Sequence, residues 1–150
     1  MLLGAASLAG DGRRFKWIRS RLPEQPRECP PATVIVPVKG EDEGLAANLA
    51  ALAALDYPDY ELIVVARPET DIPAGVAPER ARVLIAGEGD AGNGEKINNL
   101  LAAVAAARDD AEVLAFADSD GKVRPGWLRA LVRALEDDHA GAATAYRWHL

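Results

Sequence analysis

The sequence predicts an α/β fold, a mostly parallel sheet with helices on both faces. Three observations carry this expectation. Short, β-branched, nearly all-apolar runs recur along the chain, as strands buried on both faces require. Segments with helical spacing of their apolar residues separate those runs. Proline and glycine clusters punctuate the joints, so strand and helix alternate.

Taken in order, Pro23, Pro26, Pro30 and Pro31 form a linker that divides residues 1–31 from a domain over residues 32–150. Thr33 to Val38 reads as a first buried strand. Gly44 to Leu55 reads as a helix with Leu45, Leu49 and Leu52 on one face. Asp56 to Asp59 is a turn, and Glu61 to Val65 is a second buried strand. Pro68, Pro73 and Pro78 make the next stretch a loop. Arg82 to Ala86 is a third strand, followed by a glycine-rich loop from Gly87 to Gly94. Asn93 is a candidate cap for a helix from Glu95 to Ala107. Val113 to Ala117 is a fourth strand. Pro125 suits the first turn of a helix running to Glu136, and Gly141 to Tyr146 is a candidate fifth strand.

The 150 residues are enough for one domain with a real core. A formal charge of −6 disfavours nucleic-acid partners, because a phosphate backbone needs a basic face. A single nucleotide is not excluded, since one metal ion can reverse the local charge. Cys29 is the only cysteine, so no internal disulfide can form. No segment is long and apolar enough to span a bilayer. The basic run Arg13, Arg14, Lys16, Arg19 and Arg21 is interleaved with Phe15, Trp17 and Ile18. It reads as a solvated terminal helix, as a membrane-surface helix, or as the stub of a membrane anchor whose cytoplasmic flank is basic.

In such sheets ligands bind at the carboxyl ends of the strands. The sharpest signal there is Phe116-Ala117-Asp118-Ser119-Asp120-Gly121. Two carboxylates two residues apart can face one hard cation, Mn²⁺ or Mg²⁺, which prefers oxygen ligands and neutralises a diphosphate. The bland alternative is an Asp/Ser/Gly turn. A rival is a phosphatase of the haloacid dehalogenase type, in which Asp118 would be a nucleophile. Lys122 stands where those enzymes carry Thr or Val, and only 30 residues follow Asp120. Lys96, at a helix start, can add a point charge for an anion. It is not a Walker lysine, because Ile97 follows it. Glu41, Asp42 and Glu43 can accept hydrogen bonds from a nucleotide or load a helix N-terminus with negative charge. Tyr146, Arg147 and Trp148 suit an acceptor-site edge or a strand end. Glu136, Asp137 and Asp138 read as a solvated cluster.

Four pieces in order carry a resemblance: Val36-Pro37-Val38-Lys39-Gly40, Leu55-Asp56-Tyr57-Pro58-Asp59-Tyr60-Glu61, Lys96-Ile97-Asn98-Asn99-Leu100, and Asp118-Ser119-Asp120 with Pro125 beyond it. From Thr33 to Tyr146 the chain resembles inverting glycosyltransferases of the GT-A type. It is most similar to ceramide glucosyltransferase and its bacterial, hopanoid-pathway relatives. The resemblance implies a UDP-sugar donor along the end of the first strand, near Pro37 and Glu41. It implies that Asp118 and Asp120 are the Asp-x-Asp metal motif and that Lys96 lies near the donor. Relatives carry an acidic residue just after the second strand that contacts the base. Ala66 and Arg67 stand there, so Glu69 or Asp71 is expected to substitute. In ceramide glucosyltransferase itself the counterpart of Asp120 is not acidic. The resemblance also implies a lipid or other hydroxyl acceptor, a catalytic base beyond Leu150 and flanking membrane helices, so the chain looks like a fragment. The expected activity is metal-assisted hexosyl transfer at the cytoplasmic face of a membrane. The alternative is a non-catalytic nucleotide-binding domain.

Overall fold

The computed structural model describes residues 25–40, 43–68, 71–137 and 139–145, with Gly12 and Lys16. Outside the described residues lie Glu41, Glu69, Asp138, Tyr146 to Trp148, and the rest of the N-terminal basic stretch.

Among the described residues the chain order is β1 (Ala32–Pro37), α1 (Leu45–Ala53), β2 (Tyr60–Ala66), β3 (Arg82–Ile85), α2 (Glu95–Ala105), β4 (Val113–Phe116) and α3 (Trp127–Leu135). The strands form one parallel sheet in the order β3-β2-β1-β4. β1 and β2 are central and almost wholly apolar, and Val34, Ile35, Val36, Ile63, Val64 and Val65 are fully buried. This is what a strand covered by helices on both sides demands.

The pleat sends alternate side chains to opposite faces. Val34, Val36, Leu62, Val64 and Ala115 join Leu45, Leu49 and Leu52 of α1 and Leu128 and Val132 of α3 in one core layer. Ile35, Ile63 and Val65 join Ala103 of α2, with Leu100 and Leu84 beside them, in the other. Helices therefore do cover both faces, and the buried face of α1 is the expected one. Leu114 and Phe116 of edge strand β4, and Ile97, Leu101 and Val104 of α2, remain exposed apolar residues.

The Leu55–Glu61 piece is structural. The Tyr57 hydroxyl donates to the Pro30 carbonyl at 2.7 Å, and the Tyr60 hydroxyl donates to the Leu52 carbonyl at 2.9 Å while accepting from the Leu55 amide at 3.2 Å. Burial pushes the Tyr57 phenol up to about 12. Arg80 lies over the Tyr60 ring, 4.0 Å from its centre. Arg108 pairs with Asp59 and Asp110 at this amino edge of the sheet, which raises the guanidinium and lowers the Asp110 carboxyl.

Three expectations are corrected. Residues 141–145 form no strand; Gly and Ala give a weak strand signal, having little side chain to pack against a neighbour. Asn93 does not cap α2: Gly94 holds the cap position with no side-chain hydrogen bond, and the Asn93 amide donates to Asn98 Oδ1 at 3.4 Å instead. α3 begins at Trp127 after Gly126, so Pro125 precedes the helix, and its carbonyl accepts from the Asp56 amide at 2.8 Å.

Candidate functional site

The topology creates the site. From β1 the chain moves outward to β2 and β3, then crosses back to β4 on the far side of β1. α1 and α2 consequently leave on opposite faces, and a crevice opens at the carboxyl ends of β1 and β4, the switch point where such sheets bind ligands. Parallel pairing of Ile35 with Phe116, extended by the bond from the Ala117 amide to the Ile35 carbonyl at 3.0 Å, brings the end of β1 beside Asp118.

The resulting open cleft measures about 390 Å³ and is lined by Pro37, Val38, Lys39, Glu95, Lys96, Asn99, Asp118, Ser119 and Asp120. Pro37, Lys96, Asp118 and Asp120, which lie far apart in the chain, therefore share one cleft. Asp71 is not among its lining residues; its amide donates to the Pro68 carbonyl at 3.0 Å in the loop after β2. Glu41 and Glu69, the other expected nucleotide contacts, fall outside the described residues.

Two ion pairs cross the cleft. Lys96 Nζ stands 2.6 Å from Asp118 Oδ1, and Lys39 Nζ stands 3.1 Å from Glu95 Oε2. Asp118, Lys96 and Lys39 are all more than half exposed at the side chain, so these pairs contribute little to stability. With Asp120, which also lines the cleft, two cations and three carboxylates surround one crevice.

Asn48, which the sequence reading passed over, supports the carboxylate turn. It sits on the buried face of α1 at 6% exposure, and its Nδ2 donates to the Ser119 carbonyl at 3.0 Å. The signal was present as a polar residue within the apolar stripe of Leu45, Leu49 and Leu52. Gly44 starts that helix with φ +79°, a left-handed conformation that favours glycine and turns the chain from the cleft into α1. Replacing Asn48 with Ala is expected to release the turn and, if the cleft binds a nucleotide through a metal as the resemblance implies, to weaken that binding roughly three- to tenfold, the effect of one lost hydrogen bond. Calorimetric titration checks this, and unchanged affinity would mean that the turn holds itself.

The glycine loop has a steric explanation. A Cβ on Gly89 would lie 2.2 Å from Asn98 Cγ, so only glycine lets the loop rest on that amide. Asn98 Nδ2 then donates to the Asp90 carbonyl at 3.0 Å. A second cleft of about 520 Å³, lined by Arg67, Glu88, Gly89, Asp90, Ala91, Asn93 and Asn98, follows this loop.

Among the described residues no three His, Cys, Asp or Glu side chains are grouped to hold a metal. Two oxygen-bearing side chains on one turn still suit a hard cation that completes its shell with phosphate oxygens. The donor set thus fits a metal shared with a ligand, not a closed structural site. Glu136 corrects the reading of a solvated cluster: its carboxylate lies 3.2 Å from Arg133 and accepts from the Arg27 amide, tying the linker to α3.

Comparison with known proteins places this architecture in the GT-A class of glycosyltransferase domains. The chain belongs to glycosyl transferase family 21, whose profile matches residues 6–148. A mannosyltransferase from Pyrobaculum calidifontis, PcManGT, solved with GDP-Man and Mn²⁺, superimposes with a TM-score of 0.61 at 23% identity, over 91% of this chain and 43% of that one. TarS of S. aureus, solved with UDP-GlcNAc, superimposes with a TM-score of 0.53 at 25% identity, over 73% of this chain and 32% of that one. The chain spans less than half the length of these solved proteins. Among the described residues no helix is long and apolar enough to cross a membrane.

Proposed function

We propose that this chain binds the UDP-sugar donor of a hexosyltransferase that acts on a lipid or other hydroxyl acceptor with inversion. The observation that carries the proposal is the convergence of Asp118, Asp120 and Lys96 on one cleft at the switch point. Family membership favours sugar transfer over the phosphatase reading. Asp118 and Asp120 would hold Mn²⁺ or Mg²⁺, which when bound neutralises charge on the departing diphosphate. Without a cation the two carboxylates repel that diphosphate, so donor binding should depend on the metal. Lys96, released from Asp118, would add a positive charge on the leaving-group side. Pro37, at the end of β1, would border the nucleoside, with Glu41, Glu69 or Asp71 as further candidates for contacts to it.

Inverting transfer also needs a base opposite the leaving group. Asp118 and Asp120 are committed to that group, and the remaining cleft carboxylate among the described residues, Glu95, is paired with Lys39. This supports a donor-binding role for the chain, with the base contributed by a longer enzyme. The test is titration with UDP-glucose and GDP-mannose, with Mn²⁺ and with EDTA. Metal-dependent binding of UDP-glucose is expected; metal-independent binding, or none, overturns the reading.

The basic N-terminal stretch supports placement at the cytoplasmic face of a membrane. Co-sedimentation with anionic vesicles is expected to exceed that with neutral vesicles and to fall at high salt. Equal sedimentation with both vesicle types refutes that placement.

A further inference from the structure

Two adjacent asparagines are buried on α2, and only one is accounted for. Asn98 makes hydrogen bonds through both ends of its amide, to the Asp90 carbonyl and from Asn93. Asn99 is 2% exposed, and its Oδ1 is buried without a hydrogen-bond partner. A buried amide oxygen loses its water and recovers nothing unless a donor reaches it. Leucine has a similar volume and would avoid that loss. Asn99 nevertheless borders the same cleft as Lys96, Asp118 and Asp120, three residues along α2 from Lys96.

We infer that Asn99 is a donor-recognition residue whose Oδ1 accepts a hydrogen bond from an O–H or N–H group of the bound nucleotide-sugar. This rests on the proposed function. The diphosphate carries no such hydrogen at neutral pH, so the contact falls on the sugar hydroxyls or on the nucleoside. Lys96 and the carboxylate turn hold the charged centre of the ligand, and Asn99 reads a neutral part beside it. The asparagine accordingly discriminates between ligands that share the same diphosphate.

The test uses the full chain with Mn²⁺ and the probes UDP-glucose, UDP and inorganic pyrophosphate, on the wild type and Asn99→Leu. The leucine variant is expected to melt no lower than the wild type and to bind UDP-glucose roughly tenfold more weakly, as for one lost hydrogen bond. Pyrophosphate binding should not change. A loss for UDP-glucose but not for UDP puts the contact on the sugar; equal losses put it on the uridine. Should the leucine variant fail to fold, Asn99→Ser, smaller and still polar, is read by the same comparison of UDP-glucose against pyrophosphate. Equal affinities for wild type and variant across all three probes overturn the assignment while leaving the proposed function standing. A uniform loss that includes pyrophosphate also overturns it, because a purely structural role would weaken the whole cleft. Failure of the wild type to bind UDP-glucose removes both readings.

Discussion

Replacing Asp118 and Asp120 together with asparagine is expected to abolish Mn²⁺-dependent UDP-glucose binding. On the proposed function each carboxylate would contribute a charged contact, and losing one such contact typically weakens an interaction by about 1.5–3 kcal/mol, or roughly 10- to 150-fold in affinity. Because both would serve one cation, the effects should not add: the first substitution removes most of the metal dependence, and the second finds little left. The structure separates this outcome from general damage. Asp118 is largely exposed, and its partner Lys96 is equally so, so the asparagine variants should melt within about 1 kcal/mol of the wild type. Calorimetry of single and double variants, beside thermal melts, checks both statements. Retained metal-dependent affinity in the double variant would sink the clamp.

The largest stability effect is expected at Leu49. Its side chain is fully buried in the core layer that α1, α3 and the sheet share. Truncation to alanine removes apolar contact and leaves a cavity, costing about 2–5 kcal/mol. Against a typical total of about 5–15 kcal/mol, this should lower the melting temperature by on the order of 10 °C. Leu101, of the same residue type but 57% exposed on α2, provides the contrast: Leu101→Ala should change stability by about 0.5 kcal/mol or less. Leu49 also neighbours Asn48, so local loosening of α1 should reach the Ser119 carbonyl and reduce nucleotide affinity before the domain unfolds. Equal melting temperatures for the two alanine variants would contradict the layer assignment.

Much of this was legible because local patterns and global fold agree. Parallel strands buried on both faces must be apolar almost throughout, so β1 and β2 announced themselves as short β-branched runs. The stripe of Leu45, Leu49 and Leu52 identified the buried face of α1. Asp118 and Asp120 stood out because two carboxylates directly after an apolar strand interrupt its pattern, and strand ends are where α/β sheets bind ligands. Weak strand formers misled the expectation at residues 141–145, and the cap position of α2 falls one residue on, at Gly94, while the Asn93 side chain donates to Asn98.

By itself the sequence determined the α/β class, the order of β1 to β4 and α1 to α3, and the carboxylate pair at the end of β4. Those depend on residues close together in the chain, where periodicity and turn chemistry act directly. Only the tertiary structure decided that Lys96 meets Asp118 and that Asn48 holds Ser119. It also revealed that Asn98 forbids a side chain at Gly89, and that the side-chain oxygen of Asn99 is buried beside the cleft. Each of these depends on which strand lies next to which. A β3-β2-β1-β4 order places the ends of β1 and β4 side by side, with α1 and α2 on opposite faces, and that adjacency arises from burying two apolar sheet faces at once rather than from any local run of residues.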